Sequence, residues 1–121
     1  MIENSIPAID YTYRATLLRV VDGDTVDLRV DLGFHASMDL RFRILGIDAP
    51  EIRGPEKEEG AKATERLSRL LEEPNSTASR CYVRSVKTGK FGRWLGTVWN
   101  HEGVDVGATL VAEGLAKEYR G

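Results

Sequence analysis

The chain has little with which to staple itself or to hold a soft metal. One cysteine, Cys81, among 121 residues permits no internal disulfide and no zinc cluster of its own. Its two histidines, His35 and His101, have no second His or Cys at metal-ligand spacing and read as ordinary loop residues. No apolar run approaches the ~20 residues that span a bilayer. The opening Met1-Ile2-Glu3-Asn4-Ser5 lacks the basic and apolar regions of a signal peptide. The chain as given is therefore expected to be soluble, with no membrane partner, whether cytoplasmic or secreted after loss of a leader. Surplus positive charge is missing too. Lys and Arg number 17 against 19 Asp and Glu, a formal net charge of -2, which argues against wholesale electrostatic attraction to polyanions. Any phosphate binding must come from a local cluster.

What remains is the composition of one globular domain, 41% hydrophobic and 30% charged. Residues 1–10 show no pattern and read as a loose arm, which leaves 11–121 as a single domain. Val26, Leu28, Val30 and Leu32 alternate with Asp27, Arg29 and Asp31, the period of a half-buried strand. The stretch from Tyr11 to Val21 is also strand-like, so Asp22-Gly23-Asp24 joins the two as a hairpin. A third strand is predicted from Asp39 to Ile47, with Leu40, Phe42 and Ile44 on one face, stopped by Pro50. Ala63, Leu67, Leu70 and Leu71 define a helix over Glu58 to Glu73, which Pro74-Asn75-Ser76 ends.

Two more strands follow, Arg80 to Lys87 and Arg93 to Asn100, around the loop Thr88-Gly89-Lys90-Phe91-Gly92. A short helix fits Asp105 as N-cap through Glu113, with Gly114 as its stop. Five strands, one helix after the third and a short one after the fifth, predict an α+β, mainly β chain: a five-stranded OB-fold barrel.

Asp24 shares strand parity with Val26 and Leu28, and Asp48 with Phe42 and Ile44. Both acids are then expected at strand ends, pointing towards the barrel mouth. Two carboxylates there would repel and be costly to desolvate, and a cation between them relieves both problems. The donors nearby are all hard oxygens, which favours Ca²⁺ or Mg²⁺ over zinc. An EF-hand does not fit, because its fifth and twelfth positions would be Val26 and Gly33. Taken alone, Asp22-Gly23-Asp24 is equally a plain hairpin turn, and Asp48-Ala49-Pro50-Glu51 a strand terminator. Arg43 and Arg93 add guanidinium groups suited to phosphate, although alternation turns Arg43 away from Phe42 and Ile44 unless it sits on a bulge or on the rim.

The segments "VVDGDTVDL", "RFRILGIDAPE", "KTGKFGRWLGTVW" and "LVAEGLAKEY", in this order and spacing, resemble the staphylococcal nuclease (thermonuclease) family over residues 13–119. The resemblance implies a calcium-dependent phosphodiesterase on an OB-fold barrel that cuts DNA and RNA at the bond to the 5′-oxygen and leaves 3′-phosphates. By position it implies Asp24 and Asp48 as carboxylate ligands of Ca²⁺ and Ala49 as a backbone carbonyl ligand. It implies Arg43, Glu51 and Arg93 as catalytic residues, Lys90 near a terminal substrate phosphate, and Asp22 near the metal without ligating it.

Four features depart from the family. Phe91 stands where Tyr is usual, and the loop before the helix, "RGPEKEEG", is short and acidic where the family's is basic. The family's further C-terminal helix has no counterpart up to Gly121, and Tyr119 is out of register with the family's substrate-flanking tyrosines, so that role is not carried over. The acidic loop and balance imply restricted affinity and a preference for single-stranded nucleic acid. Two other readings stay open: a non-catalytic nucleic-acid- or protein-binding OB-fold module, and a domain whose calcium only staples the barrel. Neither the subunit count nor the choice between DNA and RNA is legible.

Overall fold

The computed structural model describes residues 2–88 and 92–120. Lys90 and Phe91, which carry two of the expectations above, lie outside the described residues. In chain order the elements are β1 (Thr12–Asp22), β2 (Thr25–Gly33), β3 (Ala36–Ile44), β4 (Ile47–Asp48), α1 (Lys57–Leu71), β5 (Arg80–Thr88), β6 (Trp94–Trp99), α2 (Val106–Ala112) and β7 (Lys117–Glu118). Residues 2–11 form no helix or strand.

Alternation builds the barrel. Val26, Leu28 and Val30 of β2, Phe42 and Ile44 of β3, Cys81 and Val83 of β5 and Val98 of β6 are all at most 2% exposed and fill its interior. Each such burial stabilises by about 1.5–3 kcal/mol for a Val, Leu, Ile or Phe side chain. The strands close in the order β1-β2-β3-β6-β5, antiparallel throughout except for the parallel pair β3–β6. This is the expected OB-fold, α+β and mainly β. Cys81 faces the core, where burial pushes its thiol up to about 12, so it is an inert packing residue.

Helix α1 lies against the barrel through Ala63, Leu67 and Leu71, one residue per turn on a single face. Helix α2 buries Val106 and Leu110, and Asp105 caps it by accepting the Ala108 N–H at 3.0 Å. Beyond α1 the chain leaves helical geometry at Glu72, two residues before Pro74. There Glu73 fastens the start of β5: its carboxylate accepts from the Arg80 backbone N–H and guanidinium. The Arg80 guanidinium holds the Glu73 carboxyl down to about 2, from an ordinary 4.5. The folded state thus favours ionised Glu73, so its contribution is present above about pH 4.5 and is lost as the pH falls towards 2. Glu73→Gln is expected to flatten the loss of stability between those limits. Unfolding titrations at a series of pH values check this, and parallel curves for the two proteins would contradict it.

The third strand breaks earlier than the sequence predicts. Gly46, with φ +84°, turns the chain after Ile44, and the segment behind it restarts as β4. Strand β4 pairs with β7, Ile47 opposite Glu118 and Asp48 opposite Lys117, and the Tyr119 N–H donates to the Gly46 carbonyl at 2.8 Å. Two-residue strands carry no readable period, and their partner lies some seventy residues away.

Candidate active site

Arg43 is the next-to-last residue of β3, opposite Thr25 at the start of β2. Its Nη2 donates to the Ile47 carbonyl at 3.2 Å and to Asp48 Oδ1 at 3.2 Å, and lies 3.7 Å from Asp24 Oδ2. Asp24 is buried, 9% exposed. Its Oδ2 accepts the Ala49 N–H and its Oδ1 the Thr25 hydroxyl, each at 3.0 Å. Asp22 Oδ1 accepts the Asp24 N–H at 3.0 Å, so Asp22-Gly23-Asp24 is both a hairpin turn and part of a carboxylate cluster. Burial raises the Asp24 carboxyl above its ordinary range, and neighbouring Asp22 adds to this while the Ala49 N–H and Arg43 oppose it.

The cluster lies beside the barrel rim rather than in its mouth, which corrects the parity expectation for Asp48. Because the chain turns at Gly46, strand parity does not pass from Ile44 to Asp48: Ile47 is buried and the Asp48 side chain is 56% exposed. The tension over Arg43 resolves on the rim. Its side chain stays on the face opposite Phe42 and Ile44, and its Nη2 reaches both acids from the rim. No register shift marks the β2–β3 ladder at Arg43.

Small residues set the spacing. A Cβ on Gly23 would stand 2.7 Å from the Ala49 Cβ and 2.8 Å from that of Ala63, so this glycine lets the Asp22–Asp24 turn, the chain behind Asp48 and α1 touch. Gly60 is tighter still. A Cβ there would stand 2.1 Å from the Glu51 carbonyl oxygen and 2.9 Å from the Ile52 nitrogen. Those are backbone atoms and cannot rotate away. Gly60→Ala is expected to cost about 1–3 kcal/mol, the usual range for overpacking, and to displace residues 49–52. Denaturant unfolding checks the cost, and unchanged stability would contradict the close approach.

Two more of the expected residues, Glu51 and Arg93, lie among the described residues. Glu51 is exposed, its N–H donates to Glu56 Oε2 at 3.1 Å, and among the described residues no contact links its carboxylate to Arg43, Asp24 or Asp48. Arg93 is partly buried and directly precedes Trp94, the partner of Phe42 in the parallel β3–β6 pairing. That brings the two arginines' strands side by side at one end of the barrel. Tyr119 is the residue the sequence reading left unassigned: its ring lies 5.3 Å beneath the Arg43 guanidinium. The β4–β7 pairing puts it there.

Two clefts flank the cluster. A smaller one of about 230 Å³ borders Arg43 and is lined by Leu45, Leu95, Tyr119 and Arg120. A larger one of about 650 Å³ borders Asp48 and Ala49 and runs between α1 and residues 114–117. Neither is centred on the two acids.

The donor set suits a hard cation. Asp24 and Asp48 converge on one guanidinium nitrogen, so a positive charge already belongs between them. Among the described residues no group of three or more His, Cys, Asp or Glu is placed to hold an ion together. Such a set fits an ion that takes its other ligands from backbone carbonyl, water or phosphate.

The profile of the family described as "Staphylococcal nuclease homologue" matches residues 41–121. Protein ParB of Escherichia coli is 31% identical over 115 residues, covering 88% of this chain and 58% of that protein. Endonuclease YhcR of Bacillus subtilis (strain 168) is 30% identical over 122 residues, 93% of this chain and 9% of that protein. An uncharacterized endonuclease of Escherichia coli O157:H7 is 27% identical over 115 residues, with 95% and 67% covered. The chain thus spans little more than half of the first relative and under a tenth of the second. The matched residues include Arg43, Asp48 and Tyr119 but not Asp24, and the chain belongs to the staphylococcal nuclease homologue family.

Proposed function

We propose that this chain is a Ca²⁺-dependent phosphodiesterase that hydrolyses DNA and RNA at the bond to the 5′-oxygen, leaving 3′-phosphates, with single strands preferred. Family membership and relatives named endonucleases support nuclease-type chemistry. One observation carries the rest: two carboxylates, one of them buried, share a single nitrogen of an arginine on the barrel rim.

Asp24, Asp48 and the Ala49 carbonyl would hold Ca²⁺, which when bound polarises a phosphate oxygen and orders water. The protein's own groups do the rest. Among the described residues the contacts of Arg43 to Ile47, Asp48 and Asp24 run through Nη2, and Nε and Nη1 serve as its donors to a phosphate. Arg43 and Arg93 neutralise the equatorial oxygens of the five-coordinate phosphorus, and Arg93 favours departure of the 5′-oxygen. Glu51 takes the proton of the attacking water as the new P–O bond forms and the bond to the 5′-oxygen breaks. Lys90 holds a terminal phosphate. The cleft walled by Leu45, Leu95 and Tyr119 gives a splayed base an apolar and aromatic seat, which suits an unpaired strand.

Incubation of single-stranded DNA with the protein in Ca²⁺, in Mg²⁺ or in chelator tests this. Products ending in 3′-phosphate with Ca²⁺ and none with chelator are expected. Cleavage in chelator, or 5′-phosphate products, would overturn the proposal, and binding without product would favour the non-catalytic module.

A further inference from the structure

We infer that the larger cleft is the track along which a nucleic-acid strand continues past the cleavage point, with Lys62 and Lys117 gripping the phosphate beyond the scissile one. The inference rests on the nuclease reading and adds to it the direction of the strand and two residues that set affinity for longer substrates.

The β4–β7 pairing places Lys117 directly opposite Asp48, so both side chains leave the two-stranded sheet on one face. Tyr119 is two residues further along the same chain and stands under Arg43. Lys117 beside Asp48 and the aromatic seat under Arg43 are thus two residues apart on one stretch of chain. Lys62 faces this stretch from α1 across the 650 Å³ cleft.

The lack of ion pairs at the two lysines supports the assignment. The acids of the cleft are Asp48, Glu56 and Glu59, yet among the described residues neither lysine is within ion-pair distance of a carboxylate. Asp48 is paired with Arg43, whereas Glu56, which accepts the uncharged Glu51 N–H, and Glu59 keep their charge. Two lysines therefore face two carboxylates that have no cation of their own. Unpaired ammonium groups beside a phosphodiester site are point-charge phosphate ligands. Glu59 on the same wall limits how much polyanion the track attracts, in keeping with a single strand over a duplex.

The test uses the whole chain and the variants Lys62→Ala, Lys117→Ala and the double variant, with Lys57→Ala as a control outside the cleft. Cleavage of a dinucleotide, which has no phosphate beyond the scissile one, is compared with cleavage of a ten-nucleotide single strand over a range of salt. The double variant is expected to raise KM several-fold on the longer strand only, with kcat unchanged. Its plot of log affinity against log salt should be shallower by about 0.7, the step for one neutralised phosphate on a single strand. Lys57→Ala should match the wild type. An unchanged KM and salt slope with active wild-type protein would remove the track alone. An equal loss on the dinucleotide would also overturn it, by assigning the lysines to the scissile phosphate or the fold. Absence of wild-type cleavage would remove the nuclease reading and the track with it.

Discussion

Arg43→Ala is expected to lower kcat on single-stranded DNA in Ca²⁺ by about 10²-fold or more, the loss seen when one preorganised donor to a developing oxyanion is removed. Arg43→Lys should recover little of this, because an ammonium cannot offer the paired donors of a guanidinium. The side chain is well prepared for the role: it is 16% exposed, rests on the Tyr119 ring and is tethered to the Ile47 carbonyl. Little conformational freedom remains to be lost when charge builds on phosphorus. Single-turnover kinetics on one oligonucleotide separates the chemical step from binding. Near-wild-type turnover by the alanine variant would show that Arg43 is only a structural counterion for the two acids.

The second large effect belongs to Asp24. Asp24→Asn keeps an acceptor for the Ala49 N–H and turns an amide N–H towards the Thr25 hydroxyl oxygen, which can accept it, but removes the charge that burial and Asp22 disfavour. Without metal, the variant is expected to be as stable as the wild type or more so. Calcium reverses the order. At about 100 times its dissociation constant a ligand that binds only the folded state adds ~2.7 kcal/mol, which for a domain of this size raises Tm by roughly 10 °C. The wild type should show that rise and Asp24→Asn should not, and cleavage should vanish with it. Thermal melts with calcium and with chelator check both halves. A variant that melted below the wild type in chelator would mean that Asp24 serves the fold rather than the ion.

The barrel was legible because its strands are long enough to show a period. Val26, Leu28 and Val30, and Phe42 with Ile44, mark the inner face without outside information, and Ala63, Leu67 and Leu71 do the same for α1. Asp105 and Gly114 bracket α2 as the sequence predicts. What stayed hidden depends on contacts between distant segments. The turn at Gly46 interrupts an apolar run that reads as one strand, and with it goes the orientation of Asp48. Tyr119 gains its place only when β7 pairs with β4, a ladder too short to leave a pattern. The need for glycine at position 60 is equally silent, because the atom it must avoid is a backbone oxygen of Glu51. The candidate site was legible as a set of residue types, Asp24, Arg43 and Asp48, and not as a place. Alternation pointed both acids into the barrel mouth; Asp24 is buried, whereas the turn at Gly46 leaves Asp48 exposed at the rim.

Calorimetric titration of Ca²⁺ into the wild type, Asp24→Asn, Asp48→Asn and Arg43→Ala tests the central claim most directly, because it separates the group that holds the ion from the group that acts on phosphate. Binding is expected in the wild type, loss or strong weakening in both asparagine variants, and binding at least as tight in Arg43→Ala, whose guanidinium no longer competes for the two carboxylates. Undiminished calcium binding by Asp24→Asn and Asp48→Asn would contradict the account.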